Sequence, residues 1–226
     1  MKNLLKHSLI ALGMVVLAQG AMAAGDAAAG ETKAAVCGAC HGADGNSLVP
    51  TFPKLSGLGE KYITKQLRDI QAWDNAEGDA KEKTGRAVPE MVGQLTNSSD
   101  QDLQDLAAYY NSQKRQISGA KELQVKVNAG IKVDAIKLGT RVYRGGNAET
   151  GVPACTGCHS PRGLGNGPAG YPNLSGQHAA YIEKQLRHFR AGERTNGGDT
   201  RVMRQVAEHM SDAEIIAVAN YISGLH

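Results

Sequence analysis

Four cysteines and two histidines in this sequence have the spacing of a covalent haem attachment site. Residues 37–41 read Cys-Gly-Ala-Cys-His, and residues 155–159 read Cys-Thr-Gly-Cys-His. The residues concerned are Cys37, Cys40 and His41 in the first copy, and Cys155, Cys158 and His159 in the second. In this arrangement the two thiols add across the vinyl groups of a porphyrin and the adjacent imidazole ligates the iron. The sequence therefore predicts two covalently attached haem c groups.

The same cysteine spacing also occurs in redox pairs, in zinc sites and in simple disulfides. A redox pair needs no histidine directly after the second cysteine, and it would not need duplication. A zinc ribbon brings two cysteine pairs together over a short spacing, whereas 114 residues separate Cys40 from Cys155 here. The two motifs use all four cysteines of the chain, so haem c is the favoured interpretation.

The start of the chain has the pattern of a secretory signal peptide. Lys2 and Lys6 precede an apolar run over residues 9–18, and Ala21-Met22-Ala23 matches the small-x-small cleavage pattern. We predict cleavage after Ala23 and export of a soluble protein to a bacterial periplasm, since no later segment is apolar enough to span a bilayer. The remaining chain has 23 basic and 22 acidic residues, a balance unlike the clustered basic face of a nucleic-acid-binding protein.

An internal repeat divides the rest of the chain into two domains. Residues 52–57 return as 171–176, and residues 62–68 return as 181–187, with a period of about 115 residues. This period indicates tandem domain duplication rather than a solenoid. We predict an N-terminal domain over 24–116, a connector over 117–132 that lies along the surface, and a C-terminal domain over 133–226.

Each domain has the pattern of a small helical fold. Residues 26–36 are rich in alanine and lead into the first motif, and residues 60–73 carry apolar residues at helical spacing. Ser99 and Ser211 begin capping boxes of the last helix in each half. No alternating apolar run is long enough to predict a strand. The predicted fold class is all-α, present twice.

The repeat also selects candidates for the sixth iron ligand. Only Met91, Met203 and Met210 remain after the signal peptide. Met91 stands eight residues before Ser99, and Met203 stands eight residues before Ser211. These two methionines are the axial candidates, because a thioether opposite the histidine is the ligand pair of electron-transfer cytochromes c. Met210, directly before Ser211, is predicted to be packing.

Several other polar residues allow two interpretations. The duplicated segment that reads Tyr-x-x-Lys-Gln-Leu-Arg favours a helix with a solvated basic face, formed by Lys65, Arg68, Lys184 and Arg187. Alternatively, Tyr62 and Tyr181, or a nearby cation, contact haem propionates at the domain interface. Partner docking is a further candidate role, for the surface charges Lys61, Arg190 and Arg194. Surface or local hydrogen-bonding roles are predicted for the unrepeated histidines His178, His188, His209 and His226.

Taken together, the motifs resemble the dihaem cytochrome c4 family. The likeness covers the chain beyond the signal peptide, including residues 36–47, 194–200 and 221–226, and only Arg201 departs, where some relatives have a further methionine. It implies two class I cytochrome c folds around a pseudo-twofold axis, with haem edges facing each other. It also implies a soluble or loosely membrane-associated carrier, which we expect to be monomeric. Its partners would be a quinol–cytochrome c oxidoreductase and a haem–copper terminal oxidase.

Three classes of function compete at this point. An electron carrier needs two permanently ligated irons, whereas a dihaem peroxidase or a thiosulfate-oxidising cytochrome needs an open or displaceable iron position. A dihaem subunit of a flavin sulfide dehydrogenase is the remaining alternative. The carrier without catalytic residues is favoured, because each half supplies its own methionine and no acid–base constellation accompanies either haem motif.

Overall fold

The computed structural model describes residues 25–226 except Asp79, Thr84, Ala129 and Asp199, so the predicted signal peptide lies outside the described residues. Helices dominate both halves. The N-terminal half contains helices α1 (Ala27–Lys33), α2 (Gly38–His41), α3 (Glu60–Asn75), α4 (Ala80–Lys83), a 3-10 turn (Pro89–Met91) and α5 (Asp100–Ser112). The C-terminal half contains α6 (Ala135–Gly145), α7 (Thr156–His159), α8 (Ala179–Ala191), α9 (Val202–Glu208) and α10 (Asp212–Gly224).

The last helix of each half begins at the predicted capping box. The Ser99 hydroxyl accepts the backbone N–H of Asp102, and the Asp102 carboxylate accepts the backbone N–H of Ser99. Ser211 and Glu214 make the same reciprocal pair at the start of α10. These bonds satisfy backbone donors that a helix start would otherwise leave free, so both boundaries follow from local sequence.

The first and last helices of each half cross at a glycine. A Cβ atom at Gly30 would lie 2.0 Å from the carbonyl oxygen of Asp105, where α1 meets α5. A Cβ atom at Gly139 would lie 2.2 Å from the carbonyl oxygen of Ala217, where α6 meets α10. Only a residue without a side chain allows this approach, which brings buried side chains of α5 and α10 against the rest of each core.

A short antiparallel hairpin corrects the prediction that no strand is present. Strands β1 (Gln124–Val127) and β2 (Ile131–Asp134) pair with Gln124 opposite Asp134 and Val127 opposite Ile131. Polar and apolar residues alternate in both strands, but each strand is only four residues long, which is too short for the alternation to predict a strand. Val125 is the one buried residue of the two strands and joins the C-terminal core.

The start of the predicted connector lies against the last helix of the C-terminal half. Gly119 N–H donates to the Ser223 carbonyl at 2.7 Å, and the Asn220 side chain bonds both the N–H and the carbonyl of Lys121 at 2.9 Å. These bonds fix the connector against α10, so the two halves are joined without a free tether. No helix among the described residues has both the length and the hydropathy needed to cross a membrane.

Candidate functional site

A single helical turn arranges each Cys-x-x-Cys-His motif. The His41 N–H donates to the Cys37 carbonyl at 2.9 Å, and the His159 N–H donates to the Cys155 carbonyl at 2.9 Å. Residues three and four apart on a helical turn share one face, so both thiols and the imidazole of each motif lie on the same side. All four cysteines are free thiols, and burial raises the pKa of Cys155 to about 11.

Each motif histidine is held by a backbone carbonyl from the loop that follows it. His41 Nδ1 lies 2.9 Å from the Pro53 carbonyl oxygen, and His159 Nδ1 lies 3.0 Å from that of Pro172. Because a carbonyl oxygen only accepts, Nδ1 carries the proton in both rings and Nε2 keeps its lone pair. Burial lowers the pKa of both imidazoles and favours this neutral form. A metal-binding histidine typically has its second nitrogen anchored in this way.

A large cavity adjoins the first motif. It encloses about 1720 Å³ of non-protein space, counted with the solvent at its mouth. Its lining includes Cys37, Cys40, His41 and Met91. The buried hydroxyl of Tyr110, in the same lining, has no hydrogen-bond partner among the described residues. The structure therefore places the predicted axial methionine in the same cavity as the predicted attachment residues.

A second cavity of about 810 Å³, counted in the same way, adjoins the second motif. Cys155 and His159 line it together with Met203 and Met210. Met203 is partly buried, whereas Met210 is 3% exposed and belongs to the C-terminal core. Both methionines are therefore near the site, and the choice of Met203 continues to rest on the repeat.

The two cavities share part of their walls. Leu58 and Tyr62 of the N-terminal half line both cavities, as do Tyr181, Gln185 and Arg194 of the C-terminal half. Any groups bound in the two cavities would therefore be neighbours across the domain interface.

A reciprocal polar network occupies this shared wall. The Arg86 guanidinium donates to Gln66 at 2.9 Å in its own half, and to Tyr181 at 3.3 Å and Gln185 at 2.9 Å in the other. Arg194 does the reverse, donating to Gln185 at 2.8 Å, to Tyr62 at 3.0 Å and to Gln66 at 2.7 Å. The two tyrosines are thus at the domain interface, where the second interpretation of the duplicated segment placed them, and each is bonded to a guanidinium. The propionate contact of that interpretation stays a prediction.

The basic residues of the duplicated segment face solvent, as the favoured interpretation predicted. Their side chains are partly exposed and form the ion pairs Lys65–Asp69, Arg68–Asp100, Lys184–Glu90 and Arg187–Asp212. The prediction of Arg194 as a surface docking charge is wrong, because its side chain is buried in the interface network. Lys61 is exposed and donates to the Pro168 carbonyl of the other half at 2.9 Å, and Arg190 binds Asp212.

The predicted surface or local role of His178 is wrong. It is buried between the halves, where Nε2 donates to the Ser47 carbonyl at 2.8 Å and Nδ1 lies 2.9 Å from the Ser118 hydroxyl. A role on the surface or with sequence neighbours was expected, because the repeat places Gly59 at the equivalent position. The N-terminal half has no histidine at the equivalent position because the two halves contribute different residues to the interface. His209 and His226 are exposed, as expected, and half-buried His188 lies 3.5 Å from Glu193.

The residues present fit a haem c in each cavity. Two free thiols, an oriented neutral imidazole and a thioether line the first cavity, with a buried hydroxyl that has no partner among the described residues. The Cys155 thiol, an oriented neutral imidazole and two thioethers line the second, and Cys158 lies in the same helical turn as Cys155. Within the described part of the chain, no three His, Cys, Asp or Glu side chains converge to hold a metal ion directly. The zinc alternative therefore has no ligand cluster among those residues.

Comparisons with known proteins agree with this geometry. A family model described as cytochrome c matches residues 27–114 and again 137–226. Cytochrome c4 of Azotobacter vinelandii is 54% identical over 194 residues, 86% of each chain, and that of Pseudomonas aeruginosa is 50% identical over 226 residues, 100% of each chain. The crystal structure of reduced recombinant cytochrome c4 from Pseudomonas stutzeri has a TM-score of 0.80 and 53% identity, covering 90% of this chain and 100% of that chain.

These findings confirm the predicted fold class, with the hairpin as an addition, and the predicted cofactors. Two tandem cytochrome c domains carry two haem c groups. The comparisons support an electron carrier rather than an enzyme, and they do not favour the flavoprotein-subunit alternative. The chain belongs to the cytochrome c4 family and is a dihaem electron-transfer cytochrome c.

Proposed function

We propose that this protein is a periplasmic carrier that takes electrons from a quinol–cytochrome c oxidoreductase and passes them to a haem–copper terminal oxidase. Cys37 and Cys40 would hold the first haem covalently, with His41 and Met91 as its axial ligands. The second haem would be held equivalently, by Cys155 and Cys158, with His159 and Met203 as ligands. Haem iron supplies a one-electron couple that the protein environment tunes through its axial ligands and surroundings.

The observation that carries the proposal is the common wall of the two cavities. Because the same five residues line both, the two haems lie in contact with one interface, and an electron can enter one half and leave from the other. A methionine in each cavity gives each iron a full ligand set in both oxidation states. Constant ligation keeps structural rearrangement small, which suits electron transfer and leaves no coordination position for a substrate.

We also propose that Arg86 and Arg194 bind haem propionates at this interface. Each guanidinium lines the first cavity, and Arg194 also lines the second. Within the described residues their hydrogen-bond partners are neutral groups from Gln, Tyr and Asn side chains. A buried cation is costly without an anionic partner, and a propionate carboxylate would supply one. This role fits the second interpretation of the duplicated tyrosine segment.

The periplasmic location rests on the predicted signal peptide and on the chemistry of covalent haem attachment. The two partners are those that the family resemblance implies. Val36 and Leu48, near the first motif, are 70% and 91% exposed. An exposed apolar rim of this kind around a haem edge is compatible with transient contact between redox proteins.

Stopped-flow mixing tests the direction of transfer. The oxidised protein should be reduced by purified quinol–cytochrome c oxidoreductase with quinol, and the reduced protein should be oxidised by purified haem–copper oxidase. Both rates should fall with added salt if charged groups steer the encounter. Failure of both reactions, with efficient reduction by a sulfide-treated flavoprotein, would replace these partners with the alternative.

Ligand binding tests the closed coordination of the irons. The reduced protein should bind carbon monoxide poorly at neutral pH and show negligible peroxide turnover. Stoichiometric carbon monoxide binding at one haem, with turnover of about 1 per second or faster, would mean that one iron is open to substrate.

A further inference from the structure

The peptide bond between Pro53 and Lys54 joins the first motif to the opposite domain. Its carbonyl oxygen accepts the Nδ1 proton of His41 at 2.9 Å. Its N–H group donates to the side-chain oxygen of Gln177, in the C-terminal half, also at 2.9 Å. One planar amide group therefore connects the imidazole of one domain to a side chain of the other.

Gln177 is firmly placed for this contact. Its side-chain nitrogen donates back to the Lys54 carbonyl at 2.8 Å, so the amide holds Lys54 from both sides. Its oxygen also accepts the N–H of His178 at 3.0 Å. Gln177 is 1% exposed and Lys54 is 5% exposed, so these bonds are shielded from water.

The second motif has the same connection in the opposite direction. The Pro172 carbonyl accepts from His159 Nδ1 at 3.0 Å, and the N–H of the same peptide group, on Asn173, donates to the Leu58 carbonyl of the N-terminal half at 3.1 Å. The repeat aligns Leu58 with Gln177. The two equivalent positions thus accept the same kind of hydrogen bond from the opposite domain. Leu58 accepts it through its main-chain oxygen and Gln177 through its side-chain oxygen.

We propose that Gln177 is a positioning residue for the axial histidine of the N-terminal domain, and that it lowers the reduction potential of that haem through the Pro53–Lys54 peptide. The proposal rests on the assignment of His41 as an axial ligand made above. Docking of the C-terminal domain thereby tunes the iron of the N-terminal domain without contacting it.

The direction of the effect follows from the polarity of an amide group. An amide that donates through N–H becomes a stronger acceptor at its carbonyl, because hydrogen bonds in a chain polarise one another. A stronger acceptor at Nδ1 makes the imidazole a more basic ligand. A more basic ligand stabilises ferric iron over ferrous iron, so the Gln177 contact lowers the potential.

The test replaces Gln177 with methionine, which keeps the length of the side chain and removes the acceptor. NMR-detected redox titration follows the two haems of the full-length holoprotein separately. With 10–30% polarisation per bond, Gln177→Met should change the reduction equilibrium of the N-terminal haem about twofold to threefold, a rise of about 20–30 mV at 59 mV per tenfold. The ¹⁵N shift of His41 Nδ1 in the ferrous protein should move as well.

Asn173→Ala is the matched control. Its side chain also crosses the interface, donating to the Gly57 carbonyl at 3.1 Å, and it lines the same cavity as Gln177. The substitution removes that bond but leaves the Asn173 N–H bond to Leu58 intact. The N-terminal haem should keep its potential in this variant. An equal shift in both variants would mean that general loosening of the interface is responsible, and would overturn the proposal.

A second measurement needs no variant. The ferrous wild-type protein is diamagnetic, so a scalar coupling across the hydrogen bond from the Lys54 amide nitrogen to the Gln177 side-chain carbonyl carbon should be detectable. Its absence, or an unchanged N-terminal potential in a folded Gln177→Met protein, would refute the proposal. If His41 were not an axial ligand, His41→Ala would leave the N-terminal haem spectrum unchanged, which separates failure of the assignment from failure of the tuning.

Discussion

Replacing Gly139 with alanine should destabilise the C-terminal domain by forcing α6 away from α10. The added Cβ would lie 2.2 Å from the Ala217 carbonyl oxygen and 2.7 Å from Tyr221 Cβ. Neither atom is the mobile end of a side chain, so the helices must move apart by roughly 1 Å. Overpacking of this kind costs about 1–3 kcal/mol. The better helix propensity of alanine offsets about 1 kcal/mol of that cost.

A net loss of up to about 2 kcal/mol should lower the melting temperature by up to roughly 8 °C for a protein of this size. Denaturant unfolding of the holoprotein, followed by the absorption of the methionine–iron bond, measures the change. Gly145→Ala is the control in the same helix, because a Cβ there meets nothing within 4 Å and the residue is exposed. It should leave stability unchanged or raise it slightly. Equal stability of both variants would refute the close-crossing argument.

Three further predictions concern the ligands, the maturation and the acid stability of the protein. Met203→Ala should abolish the methionine–iron charge-transfer absorption of one haem and lower its potential, while Met210→Leu should leave both haem spectra unchanged; damage from Met210→Leu instead would mean that the repeat alignment chose the wrong methionine. Denaturing mass spectrometry should show two haem additions to a chain that begins near Ala24, and a single addition would contradict the intact second motif. The Asp105 carboxylate accepts from Lys33, from the Asp26 N–H and from Gln101, which hold its pKa at about 2. Because this pKa is depressed, its contribution to stability is present above about pH 4 and is lost as pH falls towards 2. Asp105→Asn should therefore flatten the acid limb of the stability profile, whereas an unchanged limb would exclude Asp105 as its cause.

The sequence predicted the features that depend on local pattern. The Cys-x-x-Cys-His turns form around Cys37 and Cys155, and the capping boxes at Ser99 and Ser211 start the final helices as expected. These features depend on residues within one turn of each other, so contacts with distant parts of the chain have little effect on them. The duplication added long-range information by pairing Met91 with Met203.

Apart from the short hairpin, the features that the sequence missed depend on how the two halves meet. Arginine is mostly exposed in proteins and histidine is intermediate, yet Arg194 and His178 are both buried where they bond to the other domain. The contact of Gln177 with Lys54 joins residues 123 positions apart, and neither residue type suggests it. The differences between the two repeats at Gln177 and His178 nevertheless indicated the interface, since the copies of a tandem duplication diverge where their contacts differ.

The shared wall of the two cavities also restricts the order in which this protein matures. Each cavity is lined partly by residues of the other domain, among them Leu58 in the second and Tyr181 in the first. Thioether formation needs access to both thiols and the porphyrin edge, and the docked domains cover one side of each cavity. Biogenesis must therefore proceed from attachment to closure. A chain that receives only one haem would close around a void at the interface. Loss of one haem would therefore disturb the docking of both domains.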